Sequence, residues 1–217
     1  MNAGYTDLFT VALLYFTSFF SLINPLGSMP VFLTMTANLN KKERARTALK
    51  AVITAFITLL IFAFGGQMLF QFFGISVDSF RVVGGIIFFM MGYDMLNARL
   101  SSLKSINPNE VKEYVDDIAV TPLGIPMIAG PGAITNSIVL MQDSDTLMLK
   151  AILIGTIIIT MLLTLVIYIS GGTIIKFLGE TGNKIMLKLM GLIVMVIAVE
   201  FFFAGLTPII QGILKIQ

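Results

Sequence analysis

From Ala151 to Ser170 the chain runs twenty residues without one charged side chain. As an α-helix rising 1.5 Å per residue, such a run covers the ~30 Å hydrocarbon core of a bilayer. Six stretches of this kind are legible, near 7–36, 45–74, 79–98, 119–142, 148–177 and 184–213. The chain is 57% hydrophobic and 12% charged, where ordinary soluble domains carry about 25% charged residues. A soluble fold of 217 residues could not hide that much apolar surface. The sequence therefore predicts an all-α, multi-pass integral membrane protein with the lipid bilayer as its main partner. Residues 1–6 show no basic region, so no cleaved leader is expected.

Cysteine and histidine are both absent. That removes thiol redox chemistry, disulfides, histidine-ligated haem, Cys/His metal sites and Ser-His hydrolysis. No cofactor, no metal and no enzymatic role are expected. The net charge of +2, without a basic run, gives no sign of a nucleic-acid partner.

The basic residues set the expected orientation. With six spans, the loops after the first, third and fifth share one side. That side takes Lys41, Lys42, Arg44, Arg46, Lys50, Arg99, Lys104, Lys112, Lys176, Lys184 and Lys188, and the other only Arg81, Lys150 and Lys215. The richer side is expected to be cytoplasmic and both termini external. The mixed-charge stretch around 101–118 reads as a mobile cytoplasmic connector between units at 1–100 and 119–217.

Those units register without a gap when the sequence is shifted by 106 residues. Pro25 meets Pro131, Thr54 and Thr58 meet Thr160 and Thr164, Gly65-Gly66 meets Gly171-Gly172, Gly85 meets Gly191, and Asp94 meets Glu200. Three spans per half is an odd number, so the halves would cross the bilayer in opposite directions. A 3+3 inverted repeat is a recurring plan of secondary transporters, with the site at the midplane.

The first and fourth spans each contain a break. In "SLINPLGSMP" Asn24 suits an N-cap and Pro25 a first helical position, so one helix stops near Ile23 and another starts. In "IPMIAGPGAI" Gly130 and Pro131 read the same way. Irregular backbone at membrane depth is tolerated only against protein or a water-filled cavity. Each new half-helix offers free N–H groups and a positive dipole end, and each preceding one offers free carbonyls. The candidate substrate-binding residues are Asn24, Pro25, Leu26, Gly27 and Ser28 at the first break. At the second they are Gly130, Pro131, Gly132, Ala133 and Asn136. Donors and carbonyls together suit a small zwitterion, with glycines leaving little room for a side chain.

"NPLGSMP" and "IPMIAGPGAI", over six spans in about this length, resemble the MarC-related integral membrane family. The resemblance covers nearly the whole chain. It implies an inner-membrane protein that moves small neutral amino acids such as glycine, alanine, serine or threonine.

Two acidic residues lie in apolar spans. Asp94 falls towards the expected cytoplasmic end; it is a candidate for proton coupling, with a pair to Arg99 at the interface as the plainer reading. Glu200 has no charge within ten residues on either side. A carboxyl there needs a hidden partner or carries a coupled proton. The threonines spaced by four at 54–58 and 156–164 read as helix glue more than pathway lining. The leading expectation is a proton- or sodium-coupled transporter working by alternating access. An ion or small-metabolite channel or exporter is the alternative. An intramembrane aspartyl protease is remote, since Asp94 is the one aspartate inside a span, Asp7 standing at the edge of the first, and no Gly-x-Gly-Asp motif exists. Preferred amino acid, direction and oligomeric state are not written in the sequence.

Overall fold

The computed structural model describes residues 3–97 and 111–214. Among them there are helices and no strands: α1 (Ala3–Ile23), α2 (Pro25–Met35), α3 (Lys41–Phe73), α4 (Val77–Leu96), α5 (Val111–Ile118), α6 (Pro131–Gln142) and α7 (Leu147–Leu214). Gly179, at φ 68° and ψ 179°, breaks α7. Its two apolar pieces, Leu147–Gly171 and Ile185–Leu214, are each long enough to span. Three further candidate spans are Leu8–Met35, Lys41–Phe73 and Val77–Leu96. The sixth is a pair, Glu113–Ile128 with Pro131–Gln142, bent by 60°. The protein is thus an all-helical membrane protein with five candidate spans among the described residues, or six if the bent pair counts as one.

Local chemistry sets the helix ends. Asn40 caps α3 by accepting from the Lys42 and Glu43 amides at 2.9 and 3.0 Å, while its own amide donates to Glu43 Oε2. This is a reciprocal capping box. Gly74 ends α3 at φ 63°, and Ser76 Oγ accepts from the Ser79 amide to start α4. Between α5 and α6, the segment Ala119–Ile128 has extended backbone at Thr121 and Ile125. Each of the two precedes a proline, a position biased away from helical backbone.

Small residues bring α4 against the last span. A Cβ on Gly85 would sit 2.8 Å from the Ala198 carbonyl and from Phe202. One on Gly92 would sit 2.7 Å from the Gly191 carbonyl. One on Gly191 would return the contact at 2.7 Å to the Gly92 carbonyl. Lipid provides no hydrophobic drive between helices, so close van der Waals contact of this kind is what holds spans together.

The connector departs from the expectation. Residues 98–110 lie outside the described residues, as do the terminal residues 1–2 and 215–217. Its end, however, is the ordered helix α5. Val115 and Ile118 are buried, Asp116 pairs with Lys50 of α3, and the Tyr114 hydroxyl donates to the Met35 carbonyl at 2.8 Å. One apolar face and two polar ties dock it where a mobile strap was expected.

The threonine rows turn inwards. Thr58, Thr156, Thr160 and Thr164 each donate to the carbonyl four residues back in their own helix, at 2.8 Å. Their hydroxyls bind their own helix instead of gluing it to a neighbour.

Candidate functional site

At the first break, Asn24 takes a left-handed conformation, φ 44° and ψ 61°. Asparagine is among the few non-glycine residues that visit this region readily. The turn lets its Oδ1 accept from the Gly27 amide at 3.1 Å, while its carbonyl accepts from the Ser28 amide at 3.0 Å. One correction follows. The Gly27 N–H expected to be free for a ligand is held by the cap. The space beside Gly27 is also taken: a Cβ there would sit 2.8 Å from Asn24 Cγ. Gly27 is small to admit Asn24, not to admit a ligand. Pro25 and Ser28 are buried, whereas the Leu26 side chain is 57% exposed and points away.

Ser28 is doubly engaged. The Tyr168 hydroxyl donates to its Oγ at 2.8 Å, and Ser28 Oγ donates to the Pro25 carbonyl at 3.3 Å. Tyr168 is fully buried in α7 and stacks on Phe32 with ring centroids 4.5 Å apart. The start of α2 is therefore fastened to α7.

The second break is built differently. Gly130 carries no side-chain cap, and Gly130 to Ala133 are all buried. The covering side chains come from other helices. A Cβ on Gly84 would overlap the Pro131 ring, one on Gly130 would overlap the Phe88 ring, and one on Gly132 would meet Leu22 Cδ2 at 2.9 Å and Phe201 Cε2 at 3.5 Å. Asn136 Oδ1 accepts from Ser18 Oγ at 3.0 Å, and Tyr15 and Ser144 share a hydroxyl bond of 3.2 Å, so α6 is tied to α1. Asn136 Nδ2 and Thr135 Oγ1 are buried without a hydrogen-bond partner.

A cavity of about 40 Å³ lies beside the first break, lined by Asn24, Gly27 and Ser28 with Met91, Met95 and Met127 among others. One water requires ~10–15 Å³ measured this way, so it has room for about three. Met127 comes from the segment before the second break. The structure thus gathers Asn24, Gly27 and Ser28 round one cavity and leaves Pro25, Leu26, Gly130, Pro131, Gly132, Ala133 and Asn136 outside its lining. What separates the two groups is specific. Leu22 and Phe88 both line the cavity and both touch the second break. Two side chains, each reaching from the cavity to the second break, form this part of the wall.

The acidic candidates are elsewhere. Asp94 is half-buried in α4, and its expected partner Arg99 lies outside the described residues. Glu200, expected to sit hidden, is exposed on the side of the last span away from α4. Leu22, Phe88, Phe201 and Tyr168 were missed. Only Tyr168 left a signal, because a tyrosine inside an apolar span needs a hydroxyl partner. Among the described residues no cluster could hold a metal ion.

Comparison with known proteins agrees with a membrane protein. The chain is 41% identical over 194 residues to a UPF0056 membrane protein of Pyrococcus horikoshii, covering 89% of this chain and 93% of the relative. It is 38% identical over 202 residues to the UPF0056 membrane protein YvbG of Bacillus subtilis, covering 92% and 95%. A relative in Methanocaldococcus jannaschii is 36% identical over 194 residues, covering 89% and 95%. No solved structure matches the chain. Residues 9–210 match the model of the MarC family integral membrane protein, and the chain belongs to that family.

Proposed function

We propose that this protein is a secondary transporter of small neutral amino acids, of the glycine, alanine, serine and threonine class, working in the cell membrane by alternating access. The observation that carries the reading is the placement of the breaks. Two proline-started helices begin inside the membrane-spanning body, with a small cavity against one of them and Leu22 and Phe88 reaching from that cavity to the other. A space for about three waters, ~90 Å³ at ~30 Å³ each, holds glycine and little more. Binding of alanine, serine or threonine therefore requires Leu22 or Phe88 to swing aside, which joins the cavity to the second break.

The joined site has complementary ends. The uncapped N-terminus of α6 presents amides and a positive dipole to a carboxylate. Asn24 Oδ1 and the carbonyls ending α1 face the ammonium. Two or three charge-assisted bonds at ~1.5–3 kcal/mol each match the ~4–8 kcal/mol of a millimolar to micromolar ligand.

The contacts of α4 support an inverted repeat. Under the 106-residue shift Gly85 becomes Gly191 and Gly92 becomes Ala198. The Gly85–Ala198 contact then maps onto the Gly92–Gly191 contact, and both exist. A pair that exchanges into itself is what two halves of opposite orientation produce. In this reading the basic loops face the cytoplasm, both termini lie outside, and the breaks open to alternate sides with a proton or sodium ion as coupling ion.

The test is thermal unfolding of the purified protein against a panel of amino acids, with uptake into proteoliposomes. A ligand that binds the folded state raises its stability. Glycine or alanine should raise Tm, and leucine and glutamate should not. Equal response to all, or to none while the vesicles show no uptake, overturns the reading.

A further inference from the structure

Glu200 sits where hydrocarbon gives a carboxyl nothing to bond. The last span runs from Ile185 to Leu214, which puts Glu200 15 residues from one end (200 − 185) and 14 from the other (214 − 200). At 1.5 Å per residue that is close to the bilayer midplane. Its surroundings are outward and apolar: Ile193, Val196, Phe203 and Ile210 on the same side are 44, 58, 56 and 43% exposed. Gly191, Ala198 and Gly205 on the opposite side are buried against α4. Among the described residues no ion pair or hydrogen bond reaches the Glu200 carboxylate. Intramembrane carboxyls ordinarily face a bundle interior and a partner.

The positions on this face are spaced as a seam. Residues 193, 196, 200, 203, 207 and 210 follow at alternating intervals of three and four, which is the spacing of a helix–helix seam. The seam carries two polar residues, Glu200 and Thr207, of which Glu200 alone is charged, and a polar residue in a seam fixes register. Beside it runs an apolar groove of about 210 Å³ between α4 and the last span, lined by Gly85, Phe89, Met90, Val199, Phe202 and Phe203.

We propose that this face is the contact between two copies of the chain, related by a twofold axis along the membrane normal, with Glu200 meeting Glu200. Such an axis keeps every residue at its own depth, so the match of the two carboxyls follows from the symmetry. Paired, each carboxyl gives the other the polar partner that hydrocarbon lacks. An acyl chain would fill the groove and leave the carboxyl unpaired. A different membrane protein would need its own polar group at the same depth, which a second copy has by construction.

The chain has no cysteine, so a single introduced thiol reports one position. In native membranes under mild oxidation, Val196→Cys and Phe203→Cys should each give a covalent species of twice the monomer mass. Ile61→Cys, 61% exposed on the outer face of α3, should stay monomeric. On the Phe203→Cys background, Glu200→Leu should cut cross-linking at least ten-fold. Glu200→Gln, whose amide both donates and accepts, should preserve it. Absence of the dimer with both Val196→Cys and Phe203→Cys overturns the proposal, as does equal cross-linking at Ile61→Cys. A covalent species with a different protein, or full cross-linking in the Glu200→Leu background, does the same. Should Glu200→Leu fail to fold, the Val196, Phe203 and Ile61 comparison still decides.

Discussion

At the first break α2 begins under the side chain of its own cap, Asn24; at the second α6 begins under rings and branches brought from α1, α4 and the last span. The first is closed by hydrogen bonds and has a cavity beside it. The second is closed by packing and leaves its amides without a side-chain cap. A hydrogen-bonded turn can be opened one bond at a time, whereas a packed one opens only if its cover moves. The half-helices are also fastened differently. α1 is bonded to α6, and α2 to α7. On these ties alone the first break would lie between two bodies, with Asn24 as the joint, a division that the tyrosine variants test.

The largest effect should come from the packed break. A Cβ on Gly84 would overlap the Pro131 ring, and a proline ring has no rotamer by which to retreat. Gly84→Val should cost about 3 kcal/mol, the upper end of overpacking, measured by reversible unfolding in detergent. Gly65→Val is the control, since a Cβ there meets nothing within 4 Å. Equal losses would mean that the second break is not held by its cover.

Next comes the joint. Asn24→Ala loses the cap, about 1 kcal/mol, and forces alanine into left-handed backbone, another 1 kcal/mol or so. Asn24→Gly keeps the backbone and should cost only a few tenths. A difference of about 1.5 kcal/mol or more between the two variants would locate the cost in φ. Equal stability would mean that the Asn24 conformation is not what shapes the turn.

These two cases also mark how far the sequence could be read. Length and hydropathy located all six apolar stretches, and Asn24-Pro25 and Gly130-Pro131 marked both breaks. The left-handed turn at Asn24 was not legible, because an ordinary N-cap uses the same residue type in extended backbone. Leu22 and Phe88 gave no sign, because in a membrane chain the inner and outer faces are equally apolar and periodicity separates them poorly. For the same reason Glu200 looked hidden when it stands outside. The docking of α5 depends on Lys50 and Met35, which are far from it in sequence.

Gly27 and Gly132 look equivalent as small residues beside a ligand, and the structure separates them. On Gly27 a Cβ would sit 2.8 Å from Asn24 Cγ, so Gly27→Val must evict the cap at about 1 kcal/mol. The displaced amide and the valine then occupy the cavity, and alanine-dependent stabilisation should vanish. On Gly132 the nearest atom is the flexible tip of Leu22, at 2.9 Å. Gly132→Val should push Leu22 into the cavity, and Leu22→Ala in the same chain should restore part of the alanine response. Titration of alanine against Tm in the three variants checks this. No rescue by Leu22→Ala would mean that Leu22 is not the wall between the breaks.

The smallest effect tests the claim that the first break divides two bodies. Tyr168→Phe keeps the ring stacked on Phe32 and removes only the hydroxyl that donates to Ser28 at 2.8 Å. The expected cost is about 1 kcal/mol, the net worth of one such bond. Tyr15→Phe removes the longer 3.2 Å bond to Ser144 on the α1–α6 side and should cost about half as much. The informative quantity is the coupling. Tyr168→Phe and Ser28→Ala share one bond, so a double-mutant cycle should return an interaction of about 1 kcal/mol. Tyr168→Phe and Tyr15→Phe act on different bodies across the Asn24 joint, so their costs should add to within about 0.5 kcal/mol. If Tyr168 and Tyr15 couple as strongly as Tyr168 and Ser28, both ties belong to one rigid unit. The first break is then a kink inside that unit, and the joint about which the helices would move must be sought at the second.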